Sequence, residues 1–298
     1  MHVFVTGGSG QTGPAVVAEL VAAGHRVTGL ARSGSAAARL ESVGATPVAG
    51  SLADLDVLRG GAEAADGVLH MAYGGDFADP EPMIRRDRIA IETFGQALEH
   101  TGKPLVITSG TLVMPAGRES AEHDEPDPAA AAAFRTVGER ACLGFAGRGV
   151  RAGVVRLAPT VHGPGDHGFI PMLVATARKA GVSAYVGDGA NRWPAVHRLD
   201  AAALFRLAVE GAPAGSVLHG AAENVTLRSI AETIARGLGL PAASVTPAEA
   251  ATHFPSPFMA TLYGLDAPVS SAYTRGLLGW SPTHPTLLAD LKHGDYLG

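Results

Sequence analysis

A run of glycines directly behind a short apolar stretch limits most tightly what this chain can fold into. Thr6-Gly7-Gly8-Ser9-Gly10-Gln11-Thr12-Gly13 follows Val3-Phe4-Val5 and precedes the helix-like segment 15–23. Glycines at 7, 10 and 13, with another at 8, read both as TGxxGxxG and as GxGxxG. This arrangement suits a strand that turns sharply into a helix while a diphosphate approaches the backbone and faces the free N–H groups of the helix N-terminus. Pro14 fits the first helical turn, where a missing N–H costs nothing, and Gly24 fits the helix end. The loop predicts a dinucleotide site with contacts at Gly7, Ser9, Gly10, Gln11, Thr12 and Gly13.

Beyond the loop, short apolar runs alternate with helical patterns, the signature of βαβ units and a parallel sheet. Strands are predicted over 2–6, 26–31, 46–49, 67–71, 105–109 and 152–157. Helices are predicted over 15–23, 35–42, 52–59, 82–100 and 129–146. Right-handed crossovers then give an α/β fold, a Rossmann-type doubly wound parallel sheet with ligands along the carboxyl ends of its strands. After Leu157 the pattern is broken by Pro159, Gly163, Pro164, Gly165, Gly187 and Gly189, before a helix at 200–210 and a strand at 216–219 return to the sheet. A helical, proline-punctuated tail from Glu223 suits a smaller C-terminal substrate lobe. The expected division is 1–162 plus about 195–222 for the dinucleotide-binding domain, and about 163–194 plus 223–298 for the lobe.

Composition removes several function classes. At 298 residues the chain can bury a full α/β core, and no apolar run reaches the roughly 18 residues of a membrane span. A formal charge of −5 provides no basic footprint for nucleic acid. The single cysteine, Cys142, excludes an internal disulfide framework and fits a reducing cytoplasm, where the protein is expected. No His/Cys/Asp/Glu spacing predicts a metal site and no GxSxG elbow predicts hydrolysis.

The residues after the second strand discriminate between cofactors, because a carboxylate there binds a ribose 2′-OH and an arginine accommodates a 2′-phosphate. Val27-Thr28-Gly29-Leu30-Ala31-Arg32-Ser33 contains no acid, so Arg32 and Ser33 favour NADP(H) over NAD(H). Ser51 and Leu52 fall where an adenine-edge contact belongs, with Asp54 and Asp200 expected to cap the helices beside them.

Several segments together resemble the extended short-chain dehydrogenase/reductase superfamily, the NAD(P)-dependent epimerase/dehydratase group. They are TGGSGQTG at Thr6, VLHMA at Val68, ITSGTLV at Ile107, VVRLAPTVHGPGD at Val154, NRWPAVHRLDAA at Asn191 and LGWSP at Leu278. The resemblance implies a nicotinamide near Ser109 and the loop after Ala158, with Met71, Ala72, Thr108 and Pro159 at the cofactor. It also implies pairing into homodimers through the helices at 82–100 and 129–146. Its chemistry normally uses Tyr-x-x-x-Lys with an upstream Ser or Thr: the tyrosine moves the proton, the lysine lowers its pKa, and the hydroxyl polarises the carbonyl. None of the five tyrosines, at 73, 185, 263, 273 and 296, has a lysine four residues on.

The chemistry must therefore come from elsewhere. Ser109 and Thr111, at the end of the fifth strand, are the candidate polarising hydroxyls. Tyr73, after the fourth strand, and His162 are candidate proton donors, with His167 nearby. Arg135 and Glu139 stand at displaced positions of the expected helix and are predicted to pair with each other, with holding the ribose as the alternative. Arg192, Trp193, His197 and His167 are expected at the substrate site, and Trp280 in the core. The reading that follows is an NADP(H)-dependent oxidoreductase acting on a small carbonyl or alcohol. The alternatives are a sugar-nucleotide epimerase/dehydratase and a non-catalytic NADP(H)-sensing regulator.

Overall fold

The computed structural model of the chain describes residues 1–74 and 79–298. The first half runs β1 (His2–Thr6), α1 (Gly13–Ala22), β2 (Arg26–Ala31), α2 (Gly34–Glu41), β3 (Thr46–Ala49), α3 (Leu55–Ala64) and β4 (Gly67–His70). It continues through α4 (Glu81–Leu98), β5 (Pro104–Gly110), α5 (Thr136–Leu143) and β6 (Arg151–Leu157). Next come β7 (Thr160–His162), α6 (Phe169–Ala180), β8 (Ser183–Val186), β9 (Arg192–His197), α7 (Arg198–Gly211) and β10 (Ser216–Gly220). The tail holds β11 (Glu223–Thr226), α8 (Leu227–Leu238), β12 (Ala242–Val245), α9 (Pro247–His253), α10 (Pro257–Tyr263), α11 (Ala272–Leu278) and α12 (Leu287–His293).

Seven parallel strands in the order β10-β6-β5-β4-β1-β2-β3 form the main sheet, as the βαβ pattern predicts. The order reverses between β1 and β4, so the crevice beyond their carboxyl ends is the place for a ligand. Helices cover both faces, which is why β1 reads as the unbroken apolar run Val3, Phe4, Val5, each fully buried. One face packs Val5, Val106 and Val155 against Val16, Leu204 and Phe205 of α1 and α7. The other packs Phe4, Leu105 and Ile107 against Leu58, Phe94 and Cys142 of α3, α4 and α5.

Local structure departs from the sequence expectation in several places, and α3 runs over Leu55–Ala64 rather than 52–59. The helix predicted over 129–146 is confined to Thr136–Leu143, behind a single 3-10 turn at Ala133–Arg135. The alanine run is helical in propensity, yet the Asp127 carboxylate takes the Ala129 N–H, and Ala132 N–H bonds the Leu112 carbonyl. Asp54 precedes α3 without capping it, because its carboxylate accepts the N–H and hydroxyl of Ser51 at 2.7 and 2.9 Å. Asp200 lies within the first turn of α7, whose N-cap is His197; it accepts the N–H groups of Thr283 and His284 instead.

A second core lies around β9 and β11 and under α6, α8, α10 and α12. It is centred on Trp193, Ile230, Tyr263 and Leu287. The rings of Trp193 and Tyr263 stack at 5.3 Å with Phe169 edge-on at 5.4 Å, and the indole N–H donates to the Leu265 carbonyl. Trp280 is buried, donating to the Asp200 carbonyl. Among the described residues no helix is long and apolar enough to cross a membrane. Trp193→Ala is expected to cost about 3–5 kcal/mol of stability in denaturant titration. A raised substrate KM at unchanged stability would instead make Trp193 a pocket wall.

Candidate active site

The glycine loop is built by close backbone contact. Gly7 has a left-handed φ of +74°, and a Cβ there would sit 2.5 Å from the Ala72 nitrogen. At Gly13 a Cβ would lie 2.2 Å from the Gly7 carbonyl oxygen, so α1 can start that close to β1 only from glycine. Pro14 occupies the first turn of α1 as expected. Ser9, Gln11 and Thr12 stay half-buried and Gly10 exposed along the loop. Gln11 is also a strut: its side-chain amide donates to Asp166 Oδ1 at 2.7 Å, and its backbone carbonyl accepts from Arg198.

At the end of β2, Arg32 is exposed and Ser33 caps α2 by accepting the Ala36 N–H. Sequence reasoning missed Arg39, which reaches from the last turn of α2 to donate to the Ser9 carbonyl at 2.8 Å. Ser51 is tied to Asp54, and Leu52 is half-buried after β3.

The ends of β4 and β5 concentrate the polar groups. Met71 and Ala72 abut Gly7, and Tyr73 follows. Among the described residues, the Tyr73 hydroxyl, Thr108 Oγ1, Ser109 Oγ and Thr111 Oγ1 are buried without a hydrogen-bond partner. Buried polar atoms are normally satisfied, so these hydroxyls are free to bond a ligand or water. Arg135 sits over the Tyr73 ring, its guanidinium carbon 3.4 Å from the centroid, and donates to the Thr108 carbonyl. Phe134 stacks near the same ring at 6.4 Å. Burial pushes the Tyr73 phenol above its ordinary pKa, while the Arg135 cation draws it down.

The predicted Arg135–Glu139 pair does not form. Glu139 instead holds Arg156 of β6, with Oε2 2.7 Å from Nη2 and both side chains 3% exposed. Arg156 points into the face that α5 covers, and a buried guanidinium there requires a carboxylate. Arg135 is thereby left for Tyr73, and four residues before it stands Ala131.

The histidines are structural in their contacts. His162 is 1% exposed and bonds Asp290 Oδ2 through Nδ1 at 2.6 Å. His167 is exposed, against the Gly165 carbonyl. Pro159 is half-buried between β6 and β7. His197 accepts the Leu199 N–H, and burial favours its neutral form. Ligand atoms of His197, Asp200 and His284 come within 4.8 Å of one another. The two rings, however, stack with planes 9° apart and centroids 4.9 Å apart, so their in-plane lone pairs cannot converge on one ion. Arg192 pairs with Asp266 by side chain and backbone, and Trp193 is core; of the expected substrate residues, only Arg192 and His167 keep exposed side-chain surface.

These residues fit a bound dinucleotide. The glycine turn leaves room at the start of α1, and four unsatisfied hydroxyls stand at or just after the carboxyl ends of β4 and β5. Residues 3–218 match the model of the NAD dependent epimerase/dehydratase family. The chain belongs to that family. An uncharacterised protein of Schizosaccharomyces pombe is 45% identical over 299 residues, spanning 99% of this chain and 100% of that protein. The 2-alkyl-3-oxoalkanoate reductase of Stenotrophomonas maltophilia is 29% identical, over 81% of this chain and 77% of the reductase. Among solved structures, DesIV, a dTDP-glucose 4,6-dehydratase from Streptomyces venezuelae with NAD and TYD bound, shares the fold. It superposes with a TM-score of 0.80 at 20% identity, covering 99% of this chain and 96% of that one. Gly13→Ala is expected to abolish any rise in Tm on adding NADPH, a rise worth about 2.7 kcal/mol at a hundredfold excess over Kd. An unchanged rise would separate the loop from dinucleotide binding.

Proposed function

We propose that the protein is an NADP(H)-dependent oxidoreductase for a small carbonyl or alcohol substrate, with Tyr73 as its proton donor. One observation carries this reading: a buried, unpartnered phenol lies under an arginine just after β4, and unpartnered hydroxyls stand at the carboxyl end of β5. The reductase from Stenotrophomonas maltophilia supports carbonyl reduction as the chemistry. Arg32, with no carboxylate in 27–33, supports the 2′-phosphate form of the cofactor.

The bound cofactor supplies or accepts hydride. Ser109 and Thr111 each have a free hydroxyl to donate to the substrate oxygen and polarise its C=O bond. Tyr73 passes its proton to that oxygen as negative charge develops, and Arg135, face-on to the ring, stabilises the phenolate left behind. His162 is unsuited to the same task because its ring is only 1% exposed, enclosed against Asp290 and His197. In the oxidative direction Tyr73 must start as phenolate.

NADPH is therefore expected to raise Tm more than NADH, with Arg32→Asp reversing the order. NADPH deuterated at the transferable position should deliver its deuterium to the carbinol carbon of the product. Absence of transfer from either nucleotide across a broad carbonyl panel would overturn the reading. Tyr73→Phe should lower kcat by about 10²–10⁴-fold with NADPH binding retained. Because burial lifts the phenol pKa, alcohol oxidation should keep accelerating with pH through the ordinary phenol range near 10. A plateau near neutral pH would exclude Tyr73 as the base.

A further inference from the structure

Beneath Tyr73 lies a buried hydrogen-bond chain that the proton transfer does not itself use. Thr6 Oγ1 is 2.6 Å from His70 Nδ1, and His70 Nε2 is 3.1 Å from Asp87 Oδ1 of α4. The Ala72 N–H donates to Thr6 Oγ1 at 3.3 Å. Thr6 is fully buried and His70 is 2% exposed. With a neutral imidazole the chain has one direction. A carboxylate can only accept, so His70 Nε2–H donates to Asp87; Nδ1 then accepts the Thr6 hydroxyl proton, and Thr6 oxygen accepts from Ala72.

Two consequences follow from that direction. The Thr6 hydroxyl proton is committed inward, to His70, so Thr6 contributes to the phosphate loop through its backbone. The backbone nitrogen of the residue preceding Tyr73 is fastened to β1, at the point where Gly7 comes closest to Ala72. Met71 N–H to the Thr6 carbonyl, at 3.0 Å, makes a second tie across the same junction. The far end of the chain is shaped as well: a Cβ on Gly138 of α5 would fall 2.7 Å from Asp87 Oδ2. The surroundings are otherwise apolar, with His70 against Phe94 at 5.4 Å and Phe94 against Phe4 at 6.2 Å. Hydrophobic side chains would pack there, so a fully connected polar chain contributes geometry that they would not specify.

We propose that Asp87, His70 and Thr6 are positioning residues, holding the segment that carries Tyr73 against the phosphate loop so that the phenol meets the substrate oxygen. This rests on Tyr73 as the proton donor and adds how its place is set. The test compares Thr6→Val, the near-isosteric Thr6→Ser and His70→Phe in the full chain. Thr6→Val and His70→Phe should lower kcat for carbonyl reduction about tenfold or more, as small misplacements of a reacting group do. The NADPH Kd by calorimetry should stay within about threefold, and Thr6→Ser, which keeps the hydroxyl, should recover most of the rate. Exchange of the Ala72 amide by NMR gives a readout independent of turnover: faster in Thr6→Val, near wild type in Thr6→Ser. If wild type binds NADPH yet reduces nothing, the donor reading fails while this exchange still reports on the chain. Unchanged kcat in Thr6→Val, parallel loss of kcat and NADPH affinity, or unaltered Ala72 exchange would each overturn the proposal. Should Thr6→Val not fold, His70→Phe, ring-sized and apolar among phenylalanines, carries the same kinetic test.

Discussion

The contact on which the rest depends is the one between the β1–α1 turn and the end of β4. A single missing Cβ at Gly7 lets the backbone of Met71 and Ala72 lie directly against the phosphate loop, and the missing Cβ at Gly13 lets α1 begin there. The sheet order reverses between these same two strands, so the fold opens its crevice where the backbones are closest. Tyr73 is placed by that contact, three residues beyond β4 and next to the phosphate loop.

The family pattern couples a tyrosine and a cation within one helix. Here the two come from different segments, the tyrosine from the turn after β4 and the cation from the turn that opens α5. The physics of the pairing is retained. Burial disfavours the phenolate, and the guanidinium over the ring partly restores it. The separation also frees Glu139 to neutralise Arg156, so the buried charges of this region divide into a structural pair and an available one.

Much of this was legible in the chain itself, for reasons of period and steric demand. The βαβ alternation placed β1, β2 and β3 to the residue, because β1 is a buried apolar run and glycines at 24, 44 and 50 punctuate the segments around β2 and β3. The glycine spacing identified the loop because a Cβ at Gly7 or Gly13 would collide with backbone. What was not legible depends on tertiary packing. The run of alanines before Phe134 has helical propensity, but a nearby aspartate and the Leu112 carbonyl capture its N–H groups. Trp193 and His197 sit in a segment that matches the substrate loop in pattern, yet only the packing of α10 and α12 reveals that their rings are enclosed. The partner of Arg135 depended on which face of β6 Arg156 takes, a matter of sheet register rather than spacing along the helix.

The central claim is that Arg135 restores to Tyr73 what the absent lysine would have supplied. It is tested most directly by titrating the protein labelled with ¹³C at the tyrosine ζ carbon, with Tyr73 assigned by its Phe substitution, in wild type and in Arg135→Met. The expected result is that Tyr73 titrates at higher pH once the guanidinium is removed, while the four other tyrosines keep their midpoints. A Tyr73 midpoint unmoved, or lower in Arg135→Met than in wild type, would contradict the pairing on which the proposed chemistry stands.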